Sequence, residues 1–96
     1  MQGISNILLQ GVLMVKHNNE WGTVCDDAFE TVDAQSACHT LGFSGGSYTS
    51  GGHVGGTIWM DEVNCASSTT NFLTCSRNGW GDHNCDHDED VILTCT

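Results

Sequence analysis

The sequence predicts a small α+β domain held together by disulfides, and three observations point there. Six cysteines, Cys25, Cys38, Cys65, Cys75, Cys85 and Cys95, are scattered through a 96-residue chain. No C-x-x-C pair accompanies them, so zinc-knuckle and thioredoxin-type readings lose their usual anchor. A strand–turn–strand pattern near the start and an apolar run at the end supply β-structure, and one segment between them carries helical periodicity. An even number of scattered cysteines is most simply used as three disulfides, which persist outside the cell or in the secretory pathway. Such staples suit a chain this short, whose core is modest. Each adds roughly 2–4 kcal/mol, mainly by restricting the unfolded state.

Residues 1–9 read as an N-terminal lead-in or first strand, and residues 10–96 as the domain proper. Gly11 to His17 is a strand, Asn18-Asn19 its turn, and Trp21 to Cys25 the returning strand, which together make a hairpin. Thr31 to Leu41 is helical, because Ala34, Ala37, Cys38 and Leu41 recur at the spacing of one helix face. Thr31 is the expected N-cap and Gly42 the expected stop. Ser44 to Gly56 is mostly Gly, Ser and Thr and is expected to be a long, mobile surface loop. Ile58-Trp59-Met60 opens a short ordered stretch ending near Cys65. Ser67 to Thr74 reads as a short helical turn with Phe72 and Leu73 facing inward. Val91 to Cys95 is nearly continuously apolar, the pattern of a buried final strand.

Charge narrows the function classes. Two basic residues, Lys16 and Arg77, stand against 12 acidic ones, for a formal net charge of -10. Nucleic acid, anionic membranes and polyanions all call for Lys and Arg, so unaided binding to any of them is excluded. A cation is favoured instead. The stretch through Ile7-Leu8-Leu9 is too short and interrupted for a signal core or a membrane span, so direct membrane insertion is not expected. A secreted chain then implies a signal that has been removed or lies outside this sequence. No N-x-[ST] sequon occurs. Neither a P-loop nor a G-x-S-x-G elbow is present. A domain this small has little room for a deep substrate pocket. The expectation is therefore no enzyme.

Five segments are specific enough to carry a family resemblance. Glu20-Trp21-Gly22-Thr23-Val24-Cys25-Asp26-Asp27 resembles the W-G-T-V-C-D-D signature of scavenger receptor cysteine-rich domains. Asp33-Ala34-Gln35-Ser36-Ala37-Cys38-His39-Thr40-Leu41-Gly42-Phe43 is similar to that family's D-A-x-V-x-C-R-x-L-G. Ile58 to Cys65 resembles I-W-L-D-D-V-x-C. Asn78 to Cys85 resembles G-W-G-x-H-N-C, and His87-Asp88-Glu89-Asp90 follows as H-x-E-D. The match runs in order over about residues 10–96. Phe43, where other members carry an extra cysteine, is similar to the six-cysteine group A type. The resemblance implies a compact, curved antiparallel sheet cradling one helix. It also implies the pairs Cys25–Cys85, Cys38–Cys95 and Cys65–Cys75; six cysteines alone leave 15 connectivities open. The chain departs from the family in lacking the usual arginines near its start and after Cys38, where His39 stands. A basic ligand-binding cluster is therefore not available.

Asp26-Asp27 and the run Asp86 to Asp90 follow the two cysteines that the resemblance pairs. A disulfide holds Cα atoms about 5.5–6 Å apart, so the bridge brings two acidic segments together. Clustered carboxylates repel unless a cation lies between them, and oxygen donors suit Ca²⁺. The resemblance implies one cation site at Asp26, Asp27 and Glu89. It implies a second at Asp61 and Asn84, with Asn64 a weaker candidate. Asp82 is placed outside this cluster. The plain alternative is a solvated acidic face. His83 and His87 with Asp86 or Asp88 are a transition-metal possibility, but His83 fits better as part of the H-N-C turn. His17, His39 and His53 are expected to be exposed. Trp21, Trp59 and Trp80 lie in framework motifs, so core packing is expected over a sugar-stacking platform.

The expected function is an extracellular, non-enzymatic ligand-binding module of the scavenger or pattern-recognition type, acting in innate immunity. One or two Ca²⁺ ions would bridge it to anionic polysaccharide, lipopolysaccharide or protein ligands. The alternative is a protein–protein interaction or spacer domain of a larger receptor or secreted enzyme.

Overall fold

Burial alternates along Val12–His17, where Leu13 and Val15 face the core between partly exposed neighbours. In chain order the elements are β1 (Gln2–Ile4), β2 (Ile7–Gln10), β3 (Val12–His17), β4 (Glu20–Val24), α1 (Thr31–Thr40), β5 (Gly46–Ser50), β6 (Ile58–Met60) and β7 (Val91–Cys95). Two 3-10 turns, Phe72–Thr74 and His87–Glu89, precede β7. The computed structural model describes residues 2–4, 6–66 and 71–96. The strands run in the order β1-β2-β3-β4-β6, and β7 joins β3 at the single pair Val12–Ile92 while lying along β5. All pairs are antiparallel except β4–β6. The fold is the expected α+β arrangement of one helix against a sheet, closed by three disulfides. Residues 1–9, read as a lead-in or first strand, include both β1 and the start of β2.

Asn18 (φ 50°) and Asn19 (φ 66°) turn the chain between β3 and β4, with His17 opposite Glu20. Two left-handed residues in a two-residue loop match the right-handed twist of the flanking strands, and Asn tolerates that conformation. Leu13 and Val15 of β3 are fully buried. The final strand is half-buried instead of buried throughout. Val91 and Leu93 face the core, whereas Thr94 is exposed, because β7 has the core on one face only.

The helix buries Ala34, Ala37, Cys38 and Leu41, the face that periodicity selects. Its N-cap is Glu30, not Thr31. Asp33 explains the shift. One Asp33 carboxylate oxygen accepts the Glu30 backbone N–H (2.7 Å), closing a capping box, and the other accepts the Cys65 N–H (2.7 Å). Gly42 (φ 94°) ends the helix; the Gly42 N–H donates to His39 O and the Phe43 N–H to Cys38 O, the paired bonds of a Schellman stop.

The Gly/Ser/Thr segment expected as loop contains β5. It lacks an apolar pattern because its register comes from backbone bonds to β7, Gly46 opposite Cys95 through Ser50 opposite Val91. Tyr48 anchors it, donating its hydroxyl to Phe29 O (2.6 Å) with the two rings edge-on at 4.9 Å. At Gly46 a Cβ would sit 2.4 Å from Cys38 Sγ, so only glycine lets the strand approach that disulfide. Of the helical turn expected over Ser67–Thr74, residues 67–70 lie outside the described residues. Phe72 is fully buried and Leu73 partly so.

The bonds Cys25–Cys85, Cys38–Cys95 and Cys65–Cys75 close separations of 60, 57 and 10 residues. Loop-closure entropy gives about 4 kcal/mol for each of the longer two and about 3 for the short one. Among the described residues no helix is long and apolar enough to cross a membrane.

Asp33→Ala removes the capping box and strands the Cys65 N–H. It is expected to lower stability by roughly 2–4 kcal/mol, read as a lower urea midpoint with the disulfides intact; Asp33→Asn should lose less.

Candidate metal centre

Two backbone links and a disulfide bring the acidic segments together. Cys25 directly follows β4, forms an isolated bridge with Asp90, and is bonded to Cys85. The Asp26 N–H donates to Glu89 O (2.9 Å), and Phe29 N–H closes the turn onto Asp26 O (2.9 Å). On the other side, Asp86 caps the 3-10 turn that carries Glu89, and its N–H donates to Glu89 Oε1 (3.2 Å). The result is a set of carboxylate oxygens from Asp26, Asp27 and Glu89 all within 4.8 Å of one another.

Glu89 registers the crowding. The Asp86 N–H favours its ionised form, yet partial loss of hydration, a carboxyl–carboxyl contact with Asp27 and the charges of Asp27 and Asp26 outweigh it. Its pKa is raised above the usual value near 4.5.

Asp27 also faces a second acid. Its carboxylate and that of Asp61 lie within 4.8 Å, at an open cleft of about 370 Å³ that Asn84 also lines. Asp61 is 2% exposed and accepts the Glu62 N–H (2.8 Å). Among the described residues the one ion pair is His87–Asp90, so Asp61 takes part in none there. A buried carboxylate is normally compensated by several hydrogen bonds, a paired charge or a metal. Asn64 is placed elsewhere. It bridges to Ser76 and lines a different cleft beside the Cys65–Cys75 bond. Asp82, read from sequence as outside the cluster, lines the Asp61–Asn84 cleft; the turn from Gly79 to Asp82 folds it back there.

The histidines have other duties. His83 Nδ1 accepts the Cys85 N–H (3.0 Å), which is the structural role expected for the H-N-C turn. His87 uses both ring nitrogens, Nδ1 with Asp90 (2.8 Å) and Nε2 with Gly56 O (2.9 Å). Asp90 is fully buried and also accepts the Val54 N–H (3.0 Å). This pair fastens the 51–56 loop to the turn carrying Glu89. His17 is not exposed as expected: it stacks on Trp80 at 4.1 Å and meets the edge of Trp59 at 5.0 Å. Trp59 and Trp80 pack against the core, but Trp21 is 36% exposed. Trp21 stands opposite Lys16 in the hairpin register, on the outer face of the sheet. Both basic side chains lie over tryptophan rings, Lys16 at 5.8 Å from Trp21 and Arg77 at 4.0 Å from Trp80. They form no basic patch.

Sequence motifs mark Asp26, Asp27, Asp61, Asn84 and Glu89, but not Asp33 as a brace or Ser50, whose hydroxyl reaches Asp26. Ser50 lies in a low-complexity stretch with no local signal.

A one-helix, three-disulfide fold with an acidic centre beside its longest disulfide defines a small cysteine-rich binding domain. The profile of the scavenger receptor cysteine-rich domain matches residues 3–96, and the chain belongs to that family. The macrophage receptor MARCO of Mus musculus is 44% identical over 88 residues, covering 91% of this chain and 17% of that receptor. MARCO of Mesocricetus auratus is 41% identical over 86 residues, covering 90% of this chain and 18% of that receptor. The chain thus spans under a fifth of these relatives. Among solved structures, the dimeric form of the mouse MARCO domain superposes with a TM-score of 0.84 at 45% identity, covering 90% of this chain and 85% of that one. The third such domain of murine neurotrypsin gives 0.83 at 30% identity, covering 93% and 94%. Family membership makes this an extracellular, non-enzymatic binding module.

Asp90, the Gly56 carbonyl and the nearby Asp86 charge raise the His87 pKa above the usual 6.5, against a smaller opposing effect of burial. Protonated His87 therefore favours the folded state. That contribution is fully present below pH 6.5 and is lost as pH rises through the raised folded value. His87→Gln is expected to lose more stability, relative to the parent, below pH 6.5 than well above it, as measured by urea unfolding across pH.

Proposed function

We propose that the domain recognises anionic ligands with the help of bound Ca²⁺. The observation that carries this reading is Asp61, a carboxylate 2% exposed with no ion-pair partner among the described residues, within 4.8 Å of the Asp27 carboxylate. Asp27 in turn meets Asp26 and Glu89. The donor set is all oxygen, which suits a hard cation, and Ca²⁺ takes 6–8 such ligands. Asp26, Asp27 and Glu89 would hold one ion; Asp61, Asn84 and the shared Asp27 would hold a second. Asn64 faces another cleft and is the weakest candidate.

Bound Ca²⁺ would supply positive charge where this chain has none. The residues themselves do the rest. The Cys25–Cys85 bond and the Asp26–Glu89 backbone link hold the carboxylates close before any ion arrives. Partial exposure of Asp26, Asp27 and Glu89 leaves room for a ligand's phosphate, sulfate or carboxylate to complete the coordination. This gives an acidic domain a route to anionic polysaccharide, lipopolysaccharide or acidic protein surfaces. The macrophage receptors it resembles favour placing that recognition in innate immunity, as one domain of a larger receptor.

Asp26→Ala, Asp27→Ala and Glu89→Ala are each expected to weaken Ca²⁺ binding at least about 10-fold by calorimetry, since each removes a charged oxygen donor. Asp88→Ala, which removes an equal charge from an exposed neighbour, should do little. Equal effects from all four would indicate general charge attraction. Protonation of Glu89 competes with the ion, so Ca²⁺ affinity should fall as pH drops through its raised pKa. Finally, CaCl₂ should raise the melting midpoint more than NaCl of equal ionic strength. Sodium only screens exposed charges, while a ligand bound to the folded state alone adds RT ln(1 + [L]/Kd). Equal shifts in the two salts would favour the spacer reading.

A further inference from the structure

We infer that Ser50 is a positioning residue of the Asp26–Asp27–Glu89 centre, one that holds the Asp26 carboxylate ready for the cation. This rests on the calcium reading above. Ser50 ends β5, and its Oγ–H donates to Asp26 Oδ2 at 2.5 Å across 24 residues of sequence. The main chain of Asp26 is already fixed by its bond to Glu89 O and by the neighbouring Cys25–Asp90 bridge. What remains free is the torsion of its side chain, and the Ser50 hydroxyl restrains it. The donor itself stands on a rigid frame: Ser50 pairs with Val91, and the next N–H, of Gly51, donates to Asp90 O (3.0 Å).

The chemistry suits the task. A hydroxyl adds no charge, so it does not worsen the repulsion among three carboxylates. It satisfies one oxygen of Asp26 and leaves the other free for a cation. Outer-shell partners that orient a ligating carboxylate typically change metal affinity 10–100-fold when removed. Ser50 is exposed, so its hydrogen bond adds little to folding stability and its loss should appear in affinity.

The test is a calorimetric CaCl₂ titration of the parent domain, Ser50→Ala, Ser50→Thr and Thr49→Ala, with thermal melts of each in calcium-free buffer. Ser50→Ala is expected to bind Ca²⁺ about 10-fold more weakly while melting with the parent. Ser50→Thr keeps the hydroxyl and should restore affinity to near the parent value. Thr49→Ala, on the opposite face of β5, should leave it unchanged. A parent domain that binds no Ca²⁺ overturns the calcium reading. Parent-like affinity in Ser50→Ala, no rescue by Ser50→Thr, or a calcium-free Ser50→Ala that melts well below the parent overturns the role of Ser50 alone.

Discussion

The Cys25–Cys85 disulfide holds together two segments that their charges would drive apart. Asp26 and Asp27 follow one cysteine, and the acidic run Asp86 to Asp90 follows the other. Without the bond, carboxylate repulsion in a chain of net charge -10 would oppose this contact. With it, the Cys25–Asp90 bridge and the Asp26–Glu89 backbone bond become local interactions. Loss of hydration, together with the proximity of Asp27 and Asp26, raises the Glu89 pKa above its usual value. The domain is thus built around a repulsion that covalent chemistry holds in place and that a cation can relieve.

Three nearly buried carboxylates show how the fold treats negative charge. Asp33 accepts two backbone N–H groups, and Asp90 accepts His87 and the Val54 N–H. Both are structural: one joins the helix start to the Cys65 segment, the other ties the glycine-rich loop to the turn bearing Glu89. Asp61 lacks such compensation beyond its neighbour's N–H, and it opens into a cleft beside Asp27. The contrast separates two acids that brace the domain from one that lines an open cleft.

The aromatic side chains complete the frame. The His17–Trp80 stack, with Arg77 over the same indole, joins the β3–β4 hairpin to the loop that carries Asn84. The Trp59 indole N–H donates to Glu20 O (2.9 Å), and Trp59 O accepts the Gly81 N–H (2.9 Å). Lys16 and Arg77, the two basic residues of the chain, both lie over indole rings and form no shared cationic surface.

Local chemistry was legible in the sequence. Asn18-Asn19 marks a two-residue turn, Ala34, Ala37, Cys38 and Leu41 mark a helix face, and Gly42 marks its end, because each signal rests on residues a few positions apart. The motif residues Asp26, Asp27 and Glu89 could be named, and the disulfide pairs followed from family resemblance. What depended on pairing across the chain was not legible. β5 has no apolar pattern, since β7 supplies its register. Glu30 became the N-cap because Asp33 folds back to it and also reaches Cys65. Trp21 faces out because the hairpin register puts it opposite Lys16. Asp82 lines the cleft of Asp61 and Asn84 while Asn64 lines another, as clefts are made by segments distant in sequence. The sequence by itself determined which chemical groups are present and the turns and helix that carry them. Only the tertiary structure decided that Asp61 is buried beside Asp27 and that Asp82 shares its cleft, since burial and proximity depend on contacts between residues as many as 60 positions apart.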